Sequence, residues 1–194
     1  MKKLQWDKVR VLVANYCNYK CPFCHNEGQG KTTTKERMSL QSFRRLVDIL
    51  SNQPISEFNI SGGEPFLNED IVDMILYIND NLDCDISCAT NLSLIKPEHI
   101  SVLSGTRIKF NIQFPFATAE AFKRSTVTGN LDRILTNIDL LCAENIQVGL
   151  NTVVQSDDFS SIPTLIDFAL ERGLPLKLLP QIGLSGSNQF LNHI

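Results

Sequence analysis

Long apolar runs are missing from this sequence of 194 residues. A membrane-spanning helix needs roughly 18 or more consecutive apolar residues, and no such stretch occurs. The first seven residues, Met1 to Asp7, also lack the apolar segment of a secretory leader. We therefore expect a chain that does not contact a membrane and that is located in the cytoplasm.

An excess of positive charge is missing as well. The sequence has 18 Lys and Arg against 21 Asp and Glu, with a formal net charge of −3 and no basic run. Nucleic-acid-binding domains usually carry a basic patch, so we expect no nucleic-acid partner. The 43% hydrophobic and 20% charged content is that of an ordinary folded chain rather than a disordered one. The length predicts a single domain over 1–194.

Short apolar segments alternate with amphipathic ones along most of the chain. Segments of four to eight β-prone residues are typical of parallel strands covered on both faces. On this basis we predict six strands: Val9–Tyr16, Glu57–Ser61, Asp85–Thr90, Ile108–Phe114, Gln147–Val154 and Leu176–Ile182.

Five helices are predicted between these strands from their capping residues and apolar stripes. Ser39 is expected to cap the first helix and Asn68 the second. Pro97 is placed in the first turn of the third. Gly129 or Asn130 opens the fourth, and the last starts near Ser161. Alternating strands and helices predict an α/β fold, a partial (β/α)6 TIM-like barrel of parallel strands, with a three-layer doubly wound sheet as the alternative.

Three of the six cysteines follow the first predicted strand directly. Cys17, Cys21 and Cys24 lie at the carboxyl end of that strand, where parallel βα folds place their active sites. A chain without an export signal more often uses cysteines for metal binding or redox chemistry than for disulfides. Three thiolates can ligate three irons of a [4Fe–4S] cluster and leave the fourth iron open to a small molecule.

Two other interpretations of this cysteine loop stay open. Together with His25 the three cysteines could form a structural zinc site. Cys21 and Cys24 alone have the spacing of a redox pair. We expect the remaining cysteines, Cys84, Cys88 and Cys142, to be buried structural thiols.

The C-x3-C-x2-C spacing after the first strand, followed by Ser61-Gly62-Gly63-Glu64-Pro65 after the second, resembles the radical S-adenosylmethionine (SAM) superfamily. The resemblance extends from Arg10 to about Ile182. It implies an enzyme with a [4Fe–4S] cluster and SAM as cofactors, in which a 5′-deoxyadenosyl radical abstracts hydrogen from a small-molecule or peptide substrate. It also implies a reducing partner such as flavodoxin or ferredoxin.

The same resemblance implies roles for individual residues at the SAM site. Gly62 and Gly63 would let the backbone approach the ligand closely. Glu64 would accept hydrogen bonds from the SAM ammonium group. Phe23 would contact the adenine. The further residues implied to contact SAM are Thr90, Asn91, Gln113, Asn151 and Ile182.

Within the superfamily the sequence is most similar to the molybdenum-cofactor cyclases that act on GTP. Arg10 matches an arginine that contacts GTP in those enzymes, but Asn59 and Gly149 replace expected cationic residues, and the cysteines of a second cluster are missing. The chain is therefore either a longer enzyme truncated after its sixth βα unit or a compact relative that acts on a different substrate. Two alternative functions are also kept. The first is a peptide-modifying enzyme, with Phe114-Pro115-Phe116 as an apolar lip of the barrel, unless these residues only pack. The second is a non-catalytic iron–sulfur or zinc module.

Overall fold

A single six-stranded parallel sheet forms the centre of the molecule. The computed structural model describes residues 7–24, 34–154 and 159–181. The strands are hydrogen-bonded in sequence order, each parallel to the next. They are β1 (Lys8–Leu12), β2 (Glu57–Ser61), β3 (Asp85–Thr90), β4 (Ile108–Gln113), β5 (Gln147–Val154) and β6 (Leu176–Pro180).

Helices connect successive strands, as in a TIM-like barrel. Six α-helices and two short 3₁₀ turns occur in the described part of the chain. They are α1 (Leu40–Leu50), the turn Pro65–Leu67, α2 (Ile71–Asn81), α3 (Pro97–Leu103), α4 (Ala119–Thr126), α5 (Leu131–Ala143), the turn Phe159–Ser161 and α6 (Ile162–Glu171). None of these helices is long and apolar enough to cross a membrane. The predicted (β/α)6 partial barrel is confirmed.

The two faces of the sheet differ in chemistry. On β4, Ile108, Phe110 and Ile112 are buried against the helices, whereas Asn111 and Gln113 alternate with them and lie on the opposite face. This alternation follows from the two-residue period of a strand. The apolar face forms the core, and the polar face lines the interior of the barrel.

Glu57 on β2 is an acidic residue of the interior face. It accepts hydrogen bonds from Lys8 at 3.2 Å and from Ser87 at 3.0 Å. Burial opposes its ionisation, but Ser87, Lys8 and the charge of Lys177 on β6 together hold the pKa of Glu57 below its ordinary value. The interior of the barrel thus carries both acidic and basic side chains.

Capping explains most of the helix starts and corrects one prediction. Ser39 accepts a hydrogen bond from the Ser42 amide at the start of α1, as expected. Asn130 does the same for the Arg133 amide at the start of α5. Asn68 does not cap α2, which begins after Asp70.

Instead, Asn68 is buried and ties three segments together. Its side-chain amide donates to the carbonyls of Val13 and Met38, at 3.0 and 2.9 Å, and its carbonyl oxygen accepts from the Asp70 amide. Asn68 therefore joins these three segments instead of capping α2 as predicted.

Several further predictions differ from the structure. β1 ends at Leu12 rather than Tyr16, and Ala14 forms an antiparallel bridge with Arg37. β4 ends at Gln113 rather than Phe114. Helix α4 was not predicted. Cys84 and Cys88 are buried as expected, but Cys142 is exposed on α5.

Candidate functional site

The three cysteines predicted as metal ligands lie together on the loop that follows β1. Cys21 is buried, and Cys17 and Cys24 are half-buried. Burial is the main cause that raises the pKa of Cys17 to about 11 and that of Cys21 to about 12. The charge of Glu64 contributes at Cys17, against hydrogen bonds from Tyr19 and Asn91, and neighbouring cysteines contribute at Cys21. These two thiols are therefore protonated at neutral pH in the metal-free protein. A metal that binds them has to displace those protons.

A cavity of about 330 Å³ opens beside these thiols. Cofactor and small-molecule sites span roughly 300–1,000 Å³, so the cavity has the size of such a site. It is lined by loops at the carboxyl ends of the strands and by the upper interior of the barrel. The lining residues are Arg10, Cys17, Tyr19, Cys21, Phe23, Cys24, Ser61, Gly62, Gly63, Ala89, Thr90, Asn91, Asn111, Gln113, Asn151, Val153 and Leu179.

A network of amides fixes the cysteine loop to the end of β3. Asn18 donates to the Ser93 hydroxyl at 2.8 Å, and Asn91 donates to the Asn18 side-chain oxygen at the same distance. The Asn91 amide also lies 3.6 Å from the sulfur of Cys17. Since these partners are mostly buried, the network sets the position of Cys17 relative to the barrel.

The turn that presents Asn91 is strained. Leu92 has a φ of 61° although it is not glycine, and its side chain is fully buried. Such a conformation costs on the order of 1–3 kcal/mol. Hydrogen bonds compensate for it: the Leu92 amide donates to Thr90, the Ser93 amide donates to Asn91, and Asn137 donates to the Leu92 carbonyl. The surrounding structure thus holds Asn91 at the cysteine loop.

The glycine pair permits two loops to pair closely. Gly63 donates to the Ala14 carbonyl at 2.8 Å, and Glu64 donates to the Tyr16 carbonyl at 2.9 Å. A Cβ added at Gly63 would collide with the Tyr16 carbonyl, and one at Gly62 would collide with that of Ala14. Gly62 also has a φ of 148°, which a side chain disfavours. Both glycines line the cavity, and the cysteine loop packs against them.

Glu64 is fully buried and is not part of the cavity wall. Its carboxylate accepts from the Thr90 hydroxyl at 2.6 Å, the Asn91 amide at 2.8 Å and the Phe66 amide at 3.1 Å. Burial raises the pKa of Glu64, although these three donors act to lower it. This geometry gives its side chain a positioning role at the end of β3, and its contact with a SAM ammonium group stays a prediction.

Polar side chains from two strands form one wall of the cavity. Gln113 on β4 and Asn151 on β5 are register partners, and Asn111 lies on the same face. The Gln113 amide nitrogen is buried and has no hydrogen-bond partner in the described structure. Buried polar atoms are rarely left unpaired, so an unpaired donor beside a cavity is suited to a bound ligand. At the edge of the cavity, Arg10 donates to the Ser61 hydroxyl at 2.8 Å.

Most residues predicted for the site border this cavity. The exceptions are Glu64, which lies behind it, and Ile182, which falls outside the described residues. Sequence reasoning missed Asn18, Ser93 and Asn111. The alternation of Asn111 with Gln113 along β4 could have revealed Asn111, but no sequence signal indicated the contacts of Asn18 or Ser93.

The fit of a cluster and of SAM can be judged from the donor set. Among the described residues, no group of three or more His, Cys, Asp or Glu side chains is arranged to hold a metal ion. The thiols instead border a cavity together with glycines, an unpaired amide donor and the buried ring of Phe23. Cysteine thiols are the usual cluster ligands, and the cavity offers polar and apolar surface for a nucleoside. These residues fit both groups.

Comparison with known proteins agrees with this fit. A family profile described as the Radical SAM superfamily matches residues 11–169. The chain belongs to the radical SAM superfamily. Members of this superfamily are enzymes that use a [4Fe–4S] cluster and SAM, and they require a reductant.

Curated relatives place the chain near one branch of the superfamily. It is 27% identical over 187 residues to a GTP 3′,8-cyclase of Clostridium perfringens, covering 95% of this chain and 58% of that protein. It is 30% identical over 172 residues to a probable GTP 3′,8-cyclase of Thermococcus kodakarensis, covering 88% of this chain and 55% of that protein. The chain thus spans little more than half the length of these relatives.

Solved structures support the fold. Streptococcus suis SuiB bound to S-adenosylmethionine matches 94% of this chain and 42% of that protein, with a TM-score of 0.81 at 18% identity. The enzyme anSMEcpe with bound AdoMet matches 90% of this chain and 51% of that protein, with a TM-score of 0.75 at 15% identity. At these identities the likeness concerns the fold alone.

Proposed function

We propose that the chain binds a [4Fe–4S] cluster through Cys17, Cys21 and Cys24 and SAM in the adjoining cavity. The observation that supports this most directly is that the three thiols and the unpaired Gln113 donor line the same cavity. Three protein ligands leave one iron of a cubane for a chelating ligand. When bound and reduced, the cluster and SAM together supply a 5′-deoxyadenosyl radical that removes hydrogen from a substrate.

The residues of the chain would bind and orient SAM. The polar wall of Gln113 and Asn151 offers amide donors and acceptors for its ribose or carboxylate, and Asn91 offers another beside Cys17. Gly62 and Gly63 present backbone without Cβ atoms, and Phe23 presents an aromatic surface for adenine. Thr90 would act through Glu64 by fixing the end of β3. A contact of Ile182 with adenine stays a prediction.

The central experiment is anaerobic reconstitution with iron and sulfide, followed by reduction with dithionite. We expect a [4Fe–4S] electron paramagnetic resonance spectrum that changes when SAM is added, with release of 5′-deoxyadenosine. Zinc in place of iron would overturn the proposal and favour a structural metal site. A cluster spectrum that does not respond to SAM would favour a non-catalytic iron–sulfur module.

The interior of the barrel bears on the substrate. A triphosphate requires several cations, and the interior face carries Lys109 on β4 and Lys177 on β6, while Lys8 is paired with Glu57. Arg10 lines the edge of the cavity and donates to Ser61. We propose a substrate that is not a nucleoside triphosphate, because positions 59 and 149, where the resemblance to GTP cyclases implies cations, hold Asn59 and Gly149.

A peptide substrate is the second candidate. The interior wall is rich in amides, which pair with peptide groups, and two fold neighbours are described as bound to SuiA precursor peptide and to Cp18Cys peptide. Phe114-Pro115-Phe116 does not form the predicted apolar lip. All three residues are buried, and Phe114 stacks on Phe168 with ring centroids 4.9 Å apart. The candidate therefore depends on the amide wall.

Binding of GTP distinguishes a nucleoside triphosphate substrate from a peptide substrate. For the reconstituted protein we expect a GTP dissociation constant weaker than about 1 mM by equilibrium dialysis. The double variant Asn59→Arg, Gly149→Lys adds two cations to the interior face and should bind GTP at least about tenfold more tightly. Micromolar binding of GTP to the unmodified chain would contradict the exclusion of triphosphates.

A further inference from the structure

An exposed basic surface adjoins the cysteine loop on the outside of the barrel. It consists of Lys20 on that loop, Lys123 and Arg124 in the last turn of α4, and Val127, which is 49% exposed. We propose that this surface, called the basic patch below, docks an acidic electron-carrier protein with a flavin or an iron–sulfur centre. The inference rests on the proposed function, because it concerns the delivery of the electron that the cluster needs.

Backbone contacts place the basic patch directly beside the cluster ligands. Lys20 precedes Cys21 in the sequence, and its amide donates to the Thr126 carbonyl at 3.2 Å. Thr128 donates to the Asn18 carbonyl at 2.9 Å. The exposed residues 127 and 128 therefore lie against the loop that holds Cys17 and Cys21. A carrier seated here would have only that short loop between its cofactor and the cluster.

The charge of the basic patch contrasts with that of the whole chain. The protein has a formal net charge of −3, whereas Lys20, Lys123 and Arg124 are all exposed near the backbone contact of Lys20 with Thr126. Within the described residues, none of the three forms a salt bridge. Glu120 lies one turn before Lys123 and Arg124 on α4 and offsets part of their charge, so the net charge of these α4 residues is positive by one. A positive surface next to a redox centre is complementary to an acidic carrier and accelerates its association.

At the centre of the basic patch lies one exposed apolar residue, Val127, in a strained conformation. Val127 has a φ of 68°, which is unusual for a β-branched residue and costs on the order of 1–3 kcal/mol. The segment is held by the bond from its amide to the Lys123 carbonyl and by the close packing of Gly129 against Phe122 and Thr126. A rigid apolar centre with a charged rim is the usual anatomy of a protein interface. Transient redox complexes need only a small one.

Electron transfer from the carrier to the cluster requires no further reactant. The reduced carrier loses one electron, and the oxidised cluster held by Cys17, Cys21 and Cys24 gains it. No bond forms or breaks, and no proton has to move. The role of the chain is to orient the carrier, so that charge reversal in the basic patch should impair binding and leave the chemistry of the cluster unchanged.

The test measures binding rather than turnover. The reconstituted protein is titrated into an oxidised, acidic bacterial flavodoxin while the flavin fluorescence is followed. Ionic strength is set to about 0.02 M and then to about 0.5 M, where screening shortens the Debye length to a few Å. We expect binding that weakens with salt. We also expect a loss of affinity of at least about tenfold in Lys20→Glu and in the double variant Lys123→Glu, Arg124→Glu.

Arg45→Glu is the matched control, because Arg45 is exposed on α1 outside the basic patch and the charge change is identical. It should bind within about twofold of the unmodified protein. The proposal is overturned if flavodoxin does not bind the unmodified protein, or if the patch variants bind as tightly as the control.

Reduction by dithionite distinguishes this failure from failure of the proposed function. Dithionite is a small reductant that needs no docking surface, so the double variant should release 5′-deoxyadenosine with dithionite at the unmodified rate. Absence of 5′-deoxyadenosine from every protein under dithionite would refute the radical chemistry, whatever the flavodoxin titration shows. Loss of dithionite-driven release in the double variant alone would show that these residues serve the cluster itself and would overturn the docking role.

Discussion

The hydroxyl of Thr90 donates to the carboxylate of Glu64 at 2.6 Å, and both residues are buried. This bond joins the end of β3 to the turn after β2. The same carboxylate accepts from the Asn91 amide, and Asn91 in turn contacts Asn18 on the cysteine loop. The geometry of the cysteine loop therefore depends on a buried acid that does not touch the cavity.

Thr90→Val should destabilise the metal-free protein by about 2–3 kcal/mol, because it leaves a buried carboxylate oxygen and the Leu92 amide without this hydroxyl. Urea unfolding followed by circular dichroism measures the change. Thr136→Val is the control, since the Thr136 hydroxyl bonds to a helix carbonyl on an exposed face. It should change stability by less than about 0.5 kcal/mol. Equal effects of both substitutions would contradict the importance of the buried bond.

Gly63→Ala should abolish cluster incorporation, since the added Cβ would meet the Tyr16 carbonyl and force the cysteine loop away. Iron and sulfide content after anaerobic reconstitution is the measurement. Gly149→Ala serves as the matched variant, because a Cβ at that position meets only ordinary contacts of 3.5 Å or more. It should retain the full iron content. Normal iron in Gly63→Ala would show that the loop has room that the structure does not indicate.

Gln113→Leu should weaken SAM binding about tenfold, the effect of losing one buried hydrogen bond of roughly 1.4 kcal/mol. The cluster itself should assemble normally, because Gln113 is not adjacent to the cysteine loop in sequence and its side chain points into the cavity. Titration of SAM against the spectrum of the reduced cluster gives the dissociation constant. An unchanged value would assign the unpaired amide to the substrate or to water.

Cys21→Ser should prevent formation of a stable [4Fe–4S] cluster, since Cys21 is the most buried of the three proposed ligands and serine is a poor substitute for a thiolate. Cys142→Ser is the natural control because Cys142 is exposed on α5, away from the cavity. Iron analysis and the visible absorption of the cluster should be lost in the first variant and kept in the second. The reverse result would exclude the cysteine loop as the ligand set.

Cluster assembly should depend on pH. Burial raises the pKa of Cys17 to about 11 and of Cys21 to about 12, so the metal-free protein holds both protons throughout the neutral range. A raised thiol pKa favours the protonated thiol, and iron has to displace the proton when it binds. Assembly should therefore become more favourable and release protons as pH rises from about 6.5 to 8.5. A pH-independent yield, measured as iron bound after a fixed time, would contradict protonated thiols.

The order of strands and helices was predictable because the central strands β2 to β5 are buried on their helix-facing side and the strands are bounded by turn or capping residues. β2, β3 and β5 have the predicted ends. Helix α4 was missed because it buries only one large apolar side chain, that of Phe122, and its sequence lacks a clear apolar stripe. The mistaken cap at Asn68 has a similar origin, since long-range contacts with Val13 and Met38 outweigh a local capping preference.

The location of the three cysteines beside a cavity was predictable from their spacing, whereas the direction of other side chains was not. The cysteines were identified by their ligand chemistry, and the glycines by the turn that they form. Glu64 belongs to the same motif, but it points away from the cavity because three donors on β3 and the adjoining turn surround its carboxylate. Asn18 was missed for the corresponding reason. Its partner Ser93 is 75 residues away in sequence, and nothing local predicts that contact.

The cysteine loop owes its shape to segments that are synthesised much later. The Asn18 carbonyl is bonded by Thr128, which lies 110 residues further along the chain, and the loop is also held by residues 91 and 93. During translation the thiols emerge long before the segments that position them. Iron delivery should therefore be productive only after the ribosome has passed α4, which makes metal insertion a late event in the maturation of this chain.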